Sequence, residues 1–279
     1  MTAPDLGRGL GVLGGGHMGR ALVEALIKQG ADRSRIKIAE TSTPTANALG
    51  CELAVDVVAD SRSLFPDIDT LILAVKPQDM AGALQVLRPQ LEQNRPLVIS
   101  IAAGLSVVQL QQWCGVGVPI IRAMPNRPAL LGAGATGLYS ANDVEKPLRN
   151  RAATILGCAG TIVWVDDEAL MDVVTAVSGS GPAYFFRLAE ALAAAGRLHG
   201  LPESTALQLA RATLHGAGMM ATPEADLSAL RGSVTSKGGT TEAALDSFET
   251  QGLDAVVGAA VSAAVRRGRE LSANADKGD

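Results

Sequence analysis

Three glycines near the N-terminus have the spacing of a phosphate-binding loop. Gly14, Gly16 and Gly19 fit the pattern G-x-G-x-x-G. They follow the apolar run Leu10 to Leu13 and open a helical pattern. In such a loop the first glycine permits a tight turn, the second lets the backbone approach a pyrophosphate, and the third allows helix and strand to pack closely. We therefore expect a dinucleotide to bind at this helix start; a plain strand–turn–helix connection is the alternative.

Residues within and after the loop bear on which dinucleotide binds. His17 and Met18 lie inside the loop, where His17 either contacts a phosphate or faces water. Glu40 closes the next apolar run, and an acidic residue there usually accepts hydrogen bonds from the adenosine ribose and repels a 2′-phosphate. This favours NADH. Hydroxyls at residues 41–43, with basic side chains nearby, favour NADPH if Glu40 turns away, so both cofactors stay open.

Loops after later apolar runs are further candidates, because ligands of doubly wound sheets bind outside the carboxyl ends of the strands. They are Ala74 to Pro77, Ser100 to Gly104 and Arg122 to Asn126. Small residues and prolines let the backbone lie against a flat ring, and the Asn126 amide both donates and accepts. Lys76 is a cofactor contact, a proton donor or a solvated side chain.

The polar stretch Val234 to Thr241 is a glycine-centred turn leading into a helix. Its N–H groups form an anion site suited to a carboxylate. The Thr241 hydroxyl can hydrogen-bond a substrate heteroatom. The alternative is a purely structural turn, in which Thr240 caps the helix. Ser178 to Tyr184 is a second glycine-rich stretch, and it indicates either a hinge that a ligand approaches or simple helix termination.

The elements that must position these residues differ between the two halves. Before about residue 165, short Val, Ile and Leu runs alternate with helix-like stretches, which is typical of a parallel sheet covered on both faces. The predicted strands are Leu10 to Leu13, Ile36 to Ala39, Thr70 to Val75, Leu97 to Ile101, Pro119 to Ala123, Gly134 to Tyr139 and Thr161 to Val165. The first half is therefore α/β.

Alanine- and leucine-rich helical patterns fill the second half, with prolines placed for first turns. The predicted helices are Asp167 to Val177, Pro182 to His199, Pro202 to Met220, Pro223 to Leu230, Thr240 to Thr250 and Leu253 to Leu271, before a frayed tail from Ser272. Their wide apolar faces predict dimerisation through helices.

Composition excludes several classes of protein. The 279 residues are 47% apolar with a net charge of −4, which fits a globular chain with no nucleic-acid partner. The sequence has neither a membrane-spanning run nor a secretory leader, so we expect a cytoplasmic protein. Three cysteines without a CxxC pair and three scattered histidines indicate no metal site.

These stretches together resemble the pyrroline-5-carboxylate reductase family over nearly the whole chain. The matching stretches are Val12 to Gly19, Ala74 to Pro77, Arg122 to Asn126, Ser178 to Tyr184 and, most specifically, Val234 to Thr241. The resemblance implies a Rossmann domain at residues 1–165 and an all-α domain at residues 166–279 that binds substrate and builds an intertwined homodimer, often assembled into a decamer. It also implies reduction of 1-pyrroline-5-carboxylate to L-proline by NADH or NADPH, the last step of proline biosynthesis.

The resemblance also assigns roles to residues. Thr241 would be catalytic, its hydroxyl facing the ring nitrogen, and it would bind substrate with the other residues of the turn, Ser236, Gly239 and Thr240. Ala102 and Ala103 would approach the nicotinamide, in an active site that includes elements of the partner subunit. The candidate cofactor-binding residues are Gly14, Gly16, His17, Met18, Gly19, Glu40, Ser61, Ala74, Val75, Lys76, Pro77, Ala102, Ala103 and Asn126.

Three residues depart from the family pattern. Lys237 stands where proline is usual, so the turn is either looser or carries extra charge near the carboxylate. Ser61 falls where an asparagine often contacts the adenosine, and Glu40 is less suited to NADPH than a small polar residue.

Two other functions are compatible with a dinucleotide loop. A β-hydroxyacid dehydrogenase also joins a Rossmann domain to a helical one, but it needs a lysine after the central hinge, where Arg187 is the only cation in Phe185 to Leu192. A non-enzymatic dinucleotide-sensing regulator would have no reason to keep the Val234 to Thr241 turn.

Overall fold

The structure is a computed structural model that describes residues 3–141, 143–222 and 224–275. In this part of the chain eight strands form one sheet: β1 (Leu10–Leu13), β2 (Ile36–Ala39), β3 (Asp56–Val58), β4 (Thr70–Leu73), β5 (Leu97–Ser100), β6 (Ile120–Met124), β7 (Gly134–Ser140) and β8 (Gly160–Trp164). Their order is β3-β2-β1-β4-β5-β6-β7-β8, and only the β6–β7 pair is antiparallel. The mostly parallel, doubly wound sheet is confirmed.

The described helices begin between the strands and then fill the C-terminal part. They are α1 (His17–Lys28), α2 (Thr43–Leu53), α3 (Pro77–Asn94), α4 (Val107–Cys114), α5 (Lys146–Gly157), α6 (Leu170–Val174), α7 (Gly181–Leu198), α8 (Glu203–Met220), α9 (Leu227–Ser233), α10 (Thr240–Thr250) and α11 (Leu253–Ala275). The all-α C-terminal region is also confirmed. Among the described residues, no helix combines the length and the apolar character needed to span a membrane.

Side chains that alternate along the strands form two hydrophobic clusters, one on each face of the sheet. Ile72 belongs to the cluster that includes α1 and α5 side chains, whereas Leu71 and Leu73 belong to the cluster that includes α3 and α4 side chains. All three are fully buried. Burial on both faces explains why the central strands are continuous apolar runs.

Several predicted elements need correction. Strand β3 (Asp56–Val58) was not predicted, because it is only three residues long and begins with an exposed aspartate. The helix predicted over Asp167 to Val177 is the short α6 followed by one π-helical turn, Thr175–Gly179. Pro182 does lie in the first turn of α7, but Pro202 lies just before α8.

The predicted C-terminal fraying is wrong as far as the chain is described. Helix α11 continues to Ala275, and the Ser272 hydroxyl donates to the Gly268 carbonyl at 3.1 Å. Residues 276–279 of the predicted tail lie outside the described residues, as does Pro223, the predicted start of another helix.

The chain divides into two compact units. The first unit comprises the described residues up to Gly179 together with those from Ala264 onward, and the second comprises the described residues of Ser180–Ala263. The first therefore holds the whole sheet and the C-terminal half of α11. The domain boundary between residues 165 and 166 stays a prediction.

Candidate active site

The glycine loop joins β1 to α1, and each of its glycines has a distinct reason to lack a side chain. Gly14 has a φ of +101°, a conformation that favours glycine. A Cβ on Gly19 would lie 2.5 Å from the Gly14 carbonyl oxygen, so this position needs glycine for close packing. A Cβ on Gly16 would meet nothing within 4 Å. The backbone at Gly16 is therefore open to a ligand.

Helix α1 begins beside this open backbone without a side-chain cap. Gly16 is its N-cap residue, no side chain caps it, and no acidic residue lies in its first turn. The N–H groups of the first turn therefore have no side-chain acceptor, and no nearby acidic side chain in that turn offsets the positive end of the helix dipole. His17 is exposed, whereas Met18 is partly buried and packs against the core. This donor set fits a pyrophosphate.

The second predicted loop lies directly against the first. The Ala74 N–H donates to the Leu13 carbonyl at 2.8 Å, and the Ala74 carbonyl and Val75 side chain pack against Gly14. Lys76 is exposed and precedes α3, whose first residue is Pro77. Because β1 and β4 are adjacent parallel strands, these two loops share one edge of the sheet.

Glu40 is part of the glycine loop's own hydrogen bonding. One of its carboxylate oxygens accepts from the Gly15 N–H at 3.0 Å, and the other accepts from the Ser42 N–H at 2.8 Å. The carboxylate is thus held next to the loop and does not turn away from it. Ser61 follows β3, which pairs with β2, so Ser61 also comes after a strand at this edge.

Two more candidates follow β5 and β6 along the same edge. Ala102 is buried and its N–H donates to the Ser100 hydroxyl at 3.4 Å, whereas Ala103 is exposed. Asn126 is 8% exposed, and both ends of its amide are used: it donates to the Ser178 carbonyl at 3.0 Å and accepts from the Ala135 N–H at 2.9 Å. Asn126 thereby ties the sheet to the π-helical turn, a role that the sequence did not indicate.

The substrate-binding candidates share one turn of the second unit. The Gly239 N–H donates to the Ser236 carbonyl at 3.0 Å, and Gly238 has a φ of +72°. Gly239, not Thr240, is the N-cap residue of α10, and no side chain caps this helix. The alternative prediction that Thr240 caps this helix is therefore wrong. The first N–H groups of α10 are available to an anion such as a carboxylate.

Glu242 stabilises this turn, a role that was not predicted from the sequence. Its carboxylate accepts from the Gly238 N–H at 2.6 Å, four residues back along the chain. A glutamate directly after the Gly-Gly-Thr-Thr segment was visible in the sequence, and an acidic residue in the first turn of a predicted helix was the available signal. Lys237 is exposed in the same turn.

A cavity in the second unit has a strongly acidic lining. It has a volume of about 410 Å³ and is lined by Arg231 and four carboxylates, Glu242, Asp246, Glu249 and Asp254, among others. An anionic substrate would be repelled by this excess of negative charge. Within the described residues no three histidine, cysteine or acidic side chains are grouped as they would be around a metal ion.

A mostly buried ion pair joins β6 to the segment before α6, and it too was not predicted from the sequence. Arg122 in β6 donates to Glu168 at 2.6 Å, and their side chains are 10% and 25% exposed. The same glutamate contributes to raising the pKa of Tyr139, after the larger effect of burial. No local sequence pattern could reveal this contact, because its partners are 46 residues apart.

The sheet order, the glycine loop and the C-terminal helices define a Rossmann-type dinucleotide-binding protein with a helical second part. Two family models match the chain. "NADP oxidoreductase coenzyme F420-dependent" matches residues 9–104, and "Pyrroline-5-carboxylate reductase dimerisation" matches residues 168–271.

Comparison with individual proteins is more specific. The pyrroline-5-carboxylate reductase of Pseudomonas aeruginosa is 41% identical over 93% of this chain and 95% of its own. A structure of the Coxiella burnetii enzyme aligns with a TM-score of 0.90 and 38% identity over 94% of this chain and 98% of that one. The Plasmodium falciparum enzyme, solved with NADP bound, aligns with a TM-score of 0.77 and 28% identity over 95% and 98% of the two chains. The chain belongs to the pyrroline-5-carboxylate reductase family.

Proposed function

We propose that this protein reduces the C=N bond of 1-pyrroline-5-carboxylate to L-proline, using NADH or NADPH, in the last step of proline biosynthesis. The observation that carries the proposal is the 41% identity to a pyrroline-5-carboxylate reductase across 93% of the chain. The open backbone at Gly16 and the uncapped start of α10 support it, since each suits one of the two anionic ligands. Family membership favours this reaction over hydroxyacid oxidation or ligand sensing.

The first unit binds and orients the cofactor in this proposal. The backbone from Gly14 to Gly19 holds the pyrophosphate, Ala74 to Pro77 runs along the dinucleotide, and Ala102 and Ala103 approach the nicotinamide. Lys76, His17 and Asn126 remain proposed cofactor contacts. The Asn126 amide already donates to the Ser178 carbonyl, so it also positions the backbone around the cofactor site. When bound, the reduced nicotinamide supplies the hydride.

The turn of the second unit binds the substrate. Ser236 and the N–H groups from Gly239 to Thr241 hold the carboxylate, and the Thr241 hydroxyl hydrogen-bonds the ring nitrogen. A protonated imine accepts hydride readily, so these residues need to orient the ring rather than deliver a strong acid. Orientation alone contributes several kcal/mol, up to about 7–11 kcal/mol in the best intramolecular reactions.

The position of Glu40 supports NADH as the better cofactor. Its carboxylate is fixed beside the loop by the Gly15 and Ser42 N–H groups. A 2′-phosphate within about 4 Å of it would be repelled by roughly 1–4 kcal/mol, depending on the effective dielectric. NADPH remains the alternative, and Ser61 is proposed to lie near the adenosine in either case.

We also propose that the protein is a cytoplasmic homodimer, with assembly into a decamer as the further possibility. The match of residues 168–271 to a dimerisation model supports the dimer. The three cysteines are unpaired thiols, as suits a reducing compartment.

One assay tests the reaction. Purified protein is incubated with 1-pyrroline-5-carboxylate and either NADH or NADPH, and L-proline is quantified together with cofactor oxidation. Proline formed in proportion to oxidised cofactor supports the proposal, and a larger kcat/KM with NADH supports the role of Glu40. Cofactor binding without any proline would contradict the reductase and favour the regulator.

A further inference from the structure

The loop between β5 and α4 is held at three points by other parts of the first unit. The Ala102 N–H donates to the Ser100 hydroxyl. Gly104, with a φ of +78°, lies against α11, where a Cβ would be 3.7 Å from the backbone nitrogen of Ser272. The Val107 N–H, the first of α4, donates to a carboxylate oxygen of Glu168 at 2.7 Å. This loop contains the two alanines proposed to approach the nicotinamide.

The contact with Glu168 is the only charged one of the three, and it is partly buried, since the Glu168 side chain is 25% exposed. The same oxygen, Oε1, accepts from the Val107 N–H and from the Arg122 guanidinium at 2.6 Å. Arg122 is 9% exposed and lies in β6, next to β5 in the sheet. Charge-assisted hydrogen bonds in such surroundings are short and strong, and a carboxylate at a helix start is further favoured by the helix dipole.

Glu168 therefore joins three elements through one atom. It lies just before α6, it is bonded to the start of α4, and it is paired with β6. The capping box of α4, in which Ser106 and Gln109 bond each other reciprocally, fixes the same helix start from within. Glu168 therefore holds the first turn of α4, and with it the end of the preceding loop, in place relative to β6.

We propose that Glu168 is a positioning residue for hydride transfer, acting through Val107 and Arg122 on the Ala102–Ala103 backbone. This inference rests on the proposed function. In this role Glu168 acts through its contacts with Val107 and Arg122, which keep the loop at the distance from the nicotinamide that the reaction requires. Misplacing a reacting group by about 1 Å can lower a rate by about 100-fold, so a carboxylate outside the site can still control kcat.

The variants Glu168→Ala and Glu168→Gln separate the two contacts. Alanine removes both, and we expect kcat to fall by about 10- to 100-fold. Glutamine keeps an oxygen for the Val107 N–H but loses the ion pair with Arg122, and we expect a smaller fall of about 2- to 10-fold. The matched control is Glu92→Gln, which removes a solvent-exposed ion pair with Arg88 in the same unit and should leave kcat unchanged.

Cofactor binding supplies a readout that a merely structural role would not move. The fluorescence of bound NADH reports the surroundings of the nicotinamide, while its Kd depends largely on the phosphate-binding loop. We expect Glu168→Ala to change the emission of bound NADH with less than a threefold change in Kd. A folded Glu168→Gln protein with wild-type kcat and wild-type emission would overturn the inference, and this variant decides the matter if the alanine protein fails to fold.

The failure of the inference and the failure of the proposed function are distinguishable. If the wild-type protein makes no proline, the proposed function fails. If the wild type makes proline while folded Glu168→Gln keeps the wild-type kcat and the wild-type emission of bound NADH, only the positioning role fails.

Discussion

Single side chains in this protein acquire their chemistry from the backbone that surrounds them. Thr241 is an ordinary hydroxyl, but it lies in the first turn of α10, next to N–H groups without a side-chain cap. Cys114 is an ordinary thiol, but it is fully buried at the end of α4, and desolvation raises its pKa from 9.0 to about 12. One position favours binding of an anion, and the other prevents formation of one.

The change Thr241→Ala should lower kcat/KM by one to two orders of magnitude, because it removes a hydrogen bond to the substrate ring while leaving the N–H groups of the turn in place. Steady-state kinetics with pyrroline-5-carboxylate measure this. Thr250→Ala, at the exposed end of the same helix, is the matched control. Unaltered kinetics in Thr241→Ala would remove the residue from the mechanism.

Cys114 should make the protein sensitive to alkaline pH. Because the folded pKa is raised above the ordinary value, the stabilising contribution of the neutral thiol is complete below about pH 9 and is lost as pH rises toward 12. The loss amounts to about 1.4 kcal/mol per pH unit. Urea unfolding of wild type and Cys114→Ala between pH 8 and 10.5 should give a flatter pH dependence for the variant. Cys51→Ala, at an exposed thiol, should retain the wild-type slope.

Among the elements, the β1–loop–α1 unit shows that one motif contains glycines of different kinds. Gly19 is required by packing inside the protein, since its neighbour is the backbone oxygen of Gly14. At Gly16 no described residue comes within 4 Å of where a Cβ would lie, which supports the proposal that a ligand uses this space. Substitution of Gly19 therefore tests the stability of the fold, whereas substitution of Gly16 tests cofactor binding.

Gly19→Ala should destabilise the protein by about 1–3 kcal/mol, as overpacking against fixed backbone does. Gly16→Ala should change stability by less than about 0.5 kcal/mol, because its added methyl enters open space. The same methyl should raise the Kd for NADH at least tenfold by occupying the space that the pyrophosphate needs. Calorimetric titration and thermal unfolding of both variants measure this, and tight NADH binding by Gly16→Ala would contradict the assigned role of the loop.

For the whole molecule, the second unit has a small hydrophobic core of its own. Its buried apolar residues, within the described chain, are Ala193, Ala206 and Ala210. Each buried methyl contributes about 0.8 kcal/mol, whereas each ordered residue costs roughly 1–2 kcal/mol of conformational entropy. Meanwhile Phe185 and Phe186 are 62% and 59% exposed on α7. We expect a second copy of the chain to pack against these exposed helix faces in a homodimer.

Sedimentation should therefore show a stable dimer, or a multiple of it, at micromolar concentration. Replacing Phe185 and Phe186 together by glutamate should shift the protein toward monomer and lower its melting temperature, because charges would be buried at the interface. Val116→Glu, at an isolated exposed valine in the first unit, should change neither property. A wild-type monomer that is stable at this concentration would contradict the proposed assembly.

Patterns within a few residues were enough to predict the glycine loop, the central strands and the Val234–Thr241 turn, because backbone conformation, capping and hydrophobic periodicity depend on near neighbours. Strand β3, the double hydrogen bonding of Asn126 and the clamp of Glu168 on Val107 could not be predicted in this way. Glu168 and Val107 are 61 residues apart, and Asn126 and Ser178 are 52 apart. Such pairs meet only because the order of strands in the sheet brings their loops together, and that order depends on the packing of the whole chain.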